Sequence, residues 1–536
     1  NPPRTAELLC LHHACKTRRA MMTMLRSILP NDSMEKVCMR KLEFLSERGA
    51  DKSKSEQAAL SLSFLQKISP AARILEIVPE LATLRSPFSP KTVFVNAVLG
   101  MRHERSHLYV SFFTGRADAE AKDPVLVSQL DFDLTLFESI RKKHCEIEEQ
   151  QKLKHLDVSY PHDTLHSHHL LLDLLDLVAT LMRDLLQLFD QYTRQLEYDE
   201  VVLLLDKELD FLPLEACSPL NRRRCTRDFS LSIHHNRTKT CPDGGRGSIQ
   251  KSSLCYLCDP RNEDSNTANG IVERPEDFQT LCEAFETDVR PLGSWTGVSG
   301  TEHIPSKGEC QRILTQASLF LFHNVSPLFG FLDAGTVAVL NLEKCHLALL
   351  FDRAENETSD RLQKRRDTEL LPHCIAARQT WQTAALMTMR GVSHVVLNSW
   401  SMDPAASHRL LSQLVDAVVR GTDVSSAVHA SSVAVYNQFR QLLKDIEEAE
   451  RRVDEVTRKL QLSAQEGEEA GAGGEEEEEK EEGKEEPEEP VTEEHLEQAQ
   501  QELEGKKADL DQFMQTNRGM ELALNVRGYG LTGVSS

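Results

Sequence analysis

Apolar residues recur at intervals of three and four through residues 5–85, as in Met34, Val37, Cys38, Met39, Leu42 and Leu45, with Pro30, Gly49 and Pro70 as breaks. The spacing predicts short helices over residues 1–90, arranged as helical hairpins. They read either as the end of a repeat array or as a plain bundle, and no Trp-Leu-Gly-Tyr pattern recurs at a fixed period. At Thr92 the period changes. Segments 92–99 and 107–113 are rich in Val, Phe, Leu and Tyr and flank residues 100–106, which predicts a β-hairpin. Segments 134–156 and 168–196 return to helical spacing, the second apolar on more than one face as a buried helix would be. Residues 91–199 thus read as a hairpin and long helices leading into the region beyond residue 200.

In that region short apolar runs alternate with helical stretches. Strand candidates fall at 201–205, 231–233, 254–257, 317–322, 347–351 and 394–397, and helical patterns at 308–315, 367–390 and 405–419. Continuous apolar runs are what strands buried on both faces require, so residues 200–432 predict an α/β domain with a mainly parallel sheet flanked by helices. Over residues 433–464 the period becomes heptad. Phe439, Leu442, Ile446, Ala449, Val453, Val456 and Leu460 are spaced three and four alternately, with charged residues between them, and form a coiled-coil seam for binding a partner. Residues 493–536 open with a shorter seam, Leu496, Ala499, Leu503, Leu510 and Phe513, with Lys506 in one of its slots. An antiparallel return onto the first seam is one arrangement it allows. Residues 465–492 are Glu-rich with almost no apolar side chains, too little to offset ordering entropy, so they read as an acidic disordered segment.

Charge sharpens this picture. The chain carries a formal net charge of −22, of which residues 466–494, with sixteen Glu against Lys480 and Lys484, supply −14. The remaining −8 gives no basic footprint for nucleic acid. No apolar run is long enough for a membrane span, since Asp173, Asp176, Arg183 and Asp184 interrupt the densest one. The chain starts at Asn1 without a leader pattern and reads as a piece of a longer, cytoplasmic protein. Thirteen cysteines without regular spacing fit reduced thiols. Cys255 and Cys258 have CxxC spacing but lie in a strand pattern, and Cys241 with His234 or His235 is a poor second ligand pair. His162, His166, His168 and His169 read as a polar loop, so no metal is expected. Gly244-Gly245-Arg246-Gly247 lacks the Lys and helix of a phosphate loop, and no cofactor is expected. Residues 140–156, with Arg141, Lys142, Lys143, Lys152 and Lys154, read as an exposed charged helix or, alternatively, a calmodulin-type helix.

Two segments carry a resemblance. Val201-Val202-Leu203-Leu204-Leu205-Asp206 with Leu212-Pro213-Leu214-Glu215, and Gly391-Val392-Ser393-His394-Val395-Val396-Leu397-Asn398-Ser399-Trp400, resemble the opening strand and turn and the closing signature of the CHAT family, the caspase- and separase-related cysteine protease domains. The resemblance implies a caspase-like sheet over residues 200–430. Active members place a His and a Cys at the ends of neighbouring strands, because a thiolate needs an adjacent imidazole base. Here Leu319-Phe320-Leu321-Phe322-His323-Asn324-Val325-Ser326-Pro327 puts His323 at the family's leading, structural His and Pro327 at the base. Leu347-Ala348-Leu349-Leu350-Phe351-Asp352-Arg353 puts Arg353 at the nucleophile. Cys345 and His323 remain as residual candidates. The expectation is a pseudo-protease rather than an enzyme, with an active CHAT-type cysteine protease as the alternative.

The helical start, Arg227-Asp228-Phe229-Ser230-Leu231, Asp259-Pro260-Arg261-Asn262, Leu340-Asn341-Leu342-Glu343-Lys344-Cys345-His346-Leu347 and the heptad tail together resemble the C-terminal part of a family of large ciliary and flagellar scaffold proteins. The resemblance implies a structural subunit of the axonemal central apparatus that supports ciliary motility. Its implied partners are other central-apparatus scaffold subunits, calmodulin and tubulin, with no nucleic acid and no membrane.

Overall fold

The apolar runs of the second half of the chain become neighbouring strands. The computed structural model describes residues 2–48, 55–78, 80–102, 105–115, 125–156, 164–240, 249–263, 280–353, 364–365, 367–368, 370–400, 404–470, 493–517 and 526–530. They divide into two units, Asn1–Val433 with Glu521–Ser536, and Ala434–Met520. The first unit is α/β. Its strands are β1 (Thr92–Arg102), β2 (Arg105–Thr114), β3 (Val125–Asp131), β4 (Glu200–Leu205), β5 (Arg224–Asp228), β6 (Leu254–Cys258), β7 (Trp295–Ser299), β8 (Leu319–His323), β9 (Leu347–Phe351), β10 (His394–Asn398) and β11 (Val526–Tyr529). They form one sheet in the order β3-β2-β1-β4-β5-β11-β10-β9-β8-β6-β7.

The sheet consists of two mainly parallel blocks. β1, β4 and β5 are parallel to one another, with β2 and β3 added antiparallel. β6 to β10 are also parallel to one another. Between the blocks β11 runs antiparallel to β10 and parallel to β5, so the two blocks point in opposite directions.

Alternate residues of β8 to β10 feed two cores, as strict side-chain alternation demands. Phe320, Phe322, Ala348, Leu350, Val395 and Leu397 pack on one face with the helices Pro2–Ile28, Met34–Arg48, Lys307–Gln316 and Thr380–Met389. Leu319, Leu321, Leu347, Leu349, Phe351 and Val396 pack on the other, against the helix Pro404–Arg420 and residues 281–289. Each fully buried side chain of this size contributes about 1.5–3 kcal/mol.

Several segments sit differently from what hydrophobic period alone suggests. Residues 1–90 and 91–199, which the period sets apart from the α/β domain, are built into it. Met21, Met22, Leu25, Ile28, Cys38, Met39 and Leu42 join the core under β8 to β10, and β1 pairs in register with β4. Helical period shows that a face is apolar but not what covers it. Segment 231–233 is not a strand; it opens the helix Leu231–Thr240. The strand lies just before it at β5, Arg-Cys-Thr-Arg-Asp, whose charges mask it in the sequence. Segment 168–196 divides into helices Thr164–Leu181 and Arg183–Thr193. The tail contributes β11 to the middle of the sheet.

The second unit contains residues of the helices Val424–Ala470 and Glu493–Asn517. Phe439 and Phe513 lie 6.1 Å apart between ring centroids. Asp445 meets Lys506 at 3.8 Å and Arg452 meets Glu502 at 3.2 Å, so the helices run antiparallel. Phe439, Ile446, Ala449, Leu510 and Phe513 are buried in that contact. Leu442, Val453, Val456 and Leu460 are half-buried. Lys506 keeps its place in the seam by reaching Asp445. Residues 465–470 continue the helix, and 471–492 lie outside the described residues.

Burial sets the pH response of the first unit. His13 and His394 are buried and His144 is half-buried, and desolvation pushes their pKa values down to about 4, 3 and 4 respectively. The unfolded chain titrates them near 6.5 and binds more protons below that pH, so stability present above pH 6.5 is lost as pH falls toward 4. Burial raises Glu200 to about 7, against the partial opposition of Arg224. Its contribution is complete below about pH 4.5 and is lost as pH rises through 7. The thermal midpoint should therefore fall from pH 6.5 to 4. Glu200→Gln should raise it at pH 8 while changing little at pH 5; equal effects at both pH values would contradict this assignment.

Candidate functional site

The carboxyl ends of parallel strands are where an open α/β sheet places a reactive crevice. At the end of β8 His323 is fully buried, and its Nδ1 donates to the Phe351 carbonyl at 3.1 Å. Burial, with the His408 ring 5.8 Å away, pushes its pKa down to about 3, so the imidazole is neutral. Its Nε2 has no hydrogen-bond partner among the described residues. Four residues on, Pro327 is the residue before the helix Leu328–Phe331 and is buried.

At the end of β9, Asp352 accepts from the Leu328 amide at 2.7 Å, which caps that helix. The Asp352 amide donates to Asn398 Oδ1 at 3.2 Å, and Asn398 Nδ2 donates to the Trp400 carbonyl at 3.0 Å. Arg353 adopts a left-handed backbone with φ of 72°. Its guanidinium donates to the carbonyls of Ser399 and Arg378. Here a cation ties the strand end to the loop, at the position that the sequence resemblance assigns to a nucleophile. Neighbouring polar groups are likewise committed: Ser326 donates to Glu263 at 2.6 Å, and Asn324 to the Ser326 carbonyl at 2.8 Å. This arrangement binds its own backbone and leaves no proton-transfer pair at those two positions.

The residual candidates are not brought together. Cys345 precedes β9 at its amino end, whereas His323 closes β8 at its carboxyl end, and the intervening strand alone is ~13 Å long. Cys345 is buried, its thiol donates to the Leu347 carbonyl at 3.4 Å, and burial pushes its pKa up to about 12. The thiol that shares a register position with His323 is that of Cys258, a residue that CxxC spacing singles out for a different reason. Its Sγ donates to the Leu281 carbonyl at 3.5 Å. Cys255 and Cys258 face opposite cores, so they form no ligand pair. No group of three His, Cys, Asp or Glu suited to a metal occurs among the described residues. Cys241, His162 and Gly244 to Gly247 lie outside them.

What sequence reasoning missed is the role of Glu215 in the Leu-Pro-Leu-Glu turn. It is an ion-pair partner of Arg227, which is buried in β5. The helix Leu134–Leu156 uses its apolar face internally, since Phe137, Ile140 and Ile147 are buried.

No family model matches the chain. The chain is similar to cilia- and flagella-associated protein 46 of Chlamydomonas reinhardtii. The two are 24% identical over 266 residues, 43% of this chain and 10% of that protein, so the chain spans about a tenth of its relative's length. Two crystal structures of the Saccharomyces cerevisiae separase–securin complex align with a TM-score of 0.32 and 12% identity, over 78% and 79% of this chain and 26% of theirs.

Arg353 gives the site a direct test. Arg353→Ala removes donors from two carbonyls and should destabilise the first unit by about 2–4 kcal/mol in denaturant titration. Arg353→Gly should cost about 1 kcal/mol less than Ala, because glycine adopts the left-handed backbone freely. Equal losses would mean that the backbone conformation carries no strain.

Proposed function

We propose that this chain is part of a structural scaffold subunit of the ciliary or flagellar axoneme, in the central apparatus, and that its protease-like domain is catalytically inactive. The observation that carries the second half of this reading is Arg353, whose guanidinium binds the Ser399 and Arg378 carbonyls at the strand end where a nucleophile would be needed. The likeness to cilia- and flagella-associated protein 46 carries the first half. No helix among the described residues is long and apolar enough to cross a membrane, which is compatible with a place on the cytoskeleton.

Partners dock, in this reading, on the helical hairpin. Two helices alone leave part of each apolar stripe uncovered, and the half-buried Leu442, Val453, Val456 and Leu460 are where a third helix from another central-apparatus subunit completes the packing. Charged neighbours such as Lys444, Arg451, Asp454 and Glu455 select among partners. Tubulin and calmodulin are the remaining partners of this proposal. Calmodulin would have to draw the helix Leu134–Leu156 out of the core to reach its apolar face, at a cost of several buried side chains.

Replacing residues 434–520 with a short Gly-Ser linker, while keeping 521–536, should leave the α/β unit folded by circular dichroism. Incorporation into axonemes and beat frequency should both fall several-fold in flagellated cells. Undiminished incorporation would reduce the hairpin to an appendage. A thiol-reactive probe should label no cysteine of the purified native chain faster than unfolded thiols; rapid labelling at Cys258 or Cys345 would favour the protease alternative.

A further inference from the structure

The join between the two blocks of the sheet is made by four residues. β11 has four register pairs with β10, Val395↔Tyr529 to Asn398↔Val526, but a single one with β5, Tyr529↔Arg227. On the β5 side the Gly530 amide adds one bond, to the Arg227 carbonyl at 2.8 Å. The rest of the attachment is made by side chains. Tyr529 is 1% exposed, stacks on Phe229 at 4.9 Å, and its hydroxyl meets both Asp210 oxygens at 2.9 and 2.8 Å. Arg527, 2% exposed, lies 3.8 Å from Glu215 and donates to the Phe211 carbonyl at 3.5 Å. Gly530 has φ of 72°, and a Cβ there would lie 2.5 Å from Arg237 Nη1, so a larger residue is strained there and displaces the Arg237 guanidinium. His394 Nδ1 donates to the Gly530 carbonyl.

The walls of this channel are unbalanced in charge. Asp210 and Glu215 are both ion-paired to Arg227, which leaves one excess negative charge in a buried place. Arg527, delivered by the tail, supplies the missing positive charge. Burial alone would raise the pKa of Glu215, but Arg227 and Arg527 outweigh it and hold it below its ordinary value. An empty channel would therefore expose two unpaired sheet edges and an uncompensated carboxylate at once.

We propose that the channel between β5 and β10 is a strand-accepting site that selects an extended segment of the pattern apolar–cation–Gly–Tyr–Gly, and that the tail at residues 526–530 is its non-covalently held, replaceable occupant. The Arg227, Asp210 and Glu215 cluster reads the cation and the phenol, and the crowding at Gly530 disfavours side chains after the Tyr. The tail belongs to the α/β unit although 87 residues of the other unit, Ala434–Met520, separate it in sequence from the rest of that unit. Occupancy of the channel then governs whether the two blocks of the sheet act as one body.

The test uses the full chain with a protease site inserted at 520, so that the sheet assembles before the tail is cut. After cleavage, residues 521–536 should remain with the body in gel filtration. A fluorescent peptide of residues 522–532 in excess should displace them. Peptides carrying Arg527→Glu or Tyr529→Phe should compete at least tenfold less well, and one carrying Gly530→Val should not compete. Three results would overturn the proposal: loss of the cut tail with an unchanged melting midpoint of the body, equal competition by all peptides, or no displacement below the temperature at which the body unfolds.

Discussion

Arg227 is the residue around which the sheet is assembled. A guanidinium with 1% exposure in the middle of an eleven-stranded sheet is tolerable only if its charge and its donors are met. Glu215 and Asp210 meet the charge, and the carbonyls of Asp210 and Leu212 accept further bonds. These partners come from the turn between β4 and β5, which is why that turn must return tightly beneath the sheet. The Leu-Pro-Leu-Glu motif is therefore a structural device: its Glu is the anion that makes a buried cation tolerable. Nearby, Asp228 joins His234 and Arg237 in a second buried cluster, linking β5 to the helix Leu231–Thr240.

The same logic explains what is legible in the sequence. β4, β8, β9 and β10 are continuous apolar runs because both faces are covered, and each appears in the structure within a residue or two of its expected place. β5 and β11, Arg-Cys-Thr-Arg-Asp and Val-Arg-Gly-Tyr, lie deep in the same sheet but carry charges that are met by residues outside the strand, Glu215 for Arg227 and Arg527 and Asp423 for Arg224. Hydrophobic period has no access to such partners. The heptad positions are readable because helical packing is repetitive, and Phe439 does find Phe513 on the return helix. Helices of residues 1–90 are recognisable as helices, yet their role as a layer on β8 to β10 depends on three-dimensional contacts.

At the candidate site, residue identities at the strand ends say more than spacing. Pro327 and Arg353 can be assigned from the sequence because strand ends are fixed by the apolar runs before them. The binding of Arg353 to two backbone carbonyls cannot, since both acceptors lie on loops whose course depends on the rest of the fold. Cys345 draws notice as a thiol beside a His. In the fold it is a buried, protonated side chain at the far end of its strand.

The order of the chain has a mechanical meaning. It leaves the α/β unit at Val433 and re-enters it at Glu521. A load applied to the helical hairpin is thus borne by two attachments, a covalent one through the helix that begins at Val424 and a non-covalent one through the pairing of β11 in the sheet. Tension is divided between them, and breaking either connection alone leaves the hairpin fastened. A bracket fixed at both ends withstands reversing forces that would peel an extension held at one.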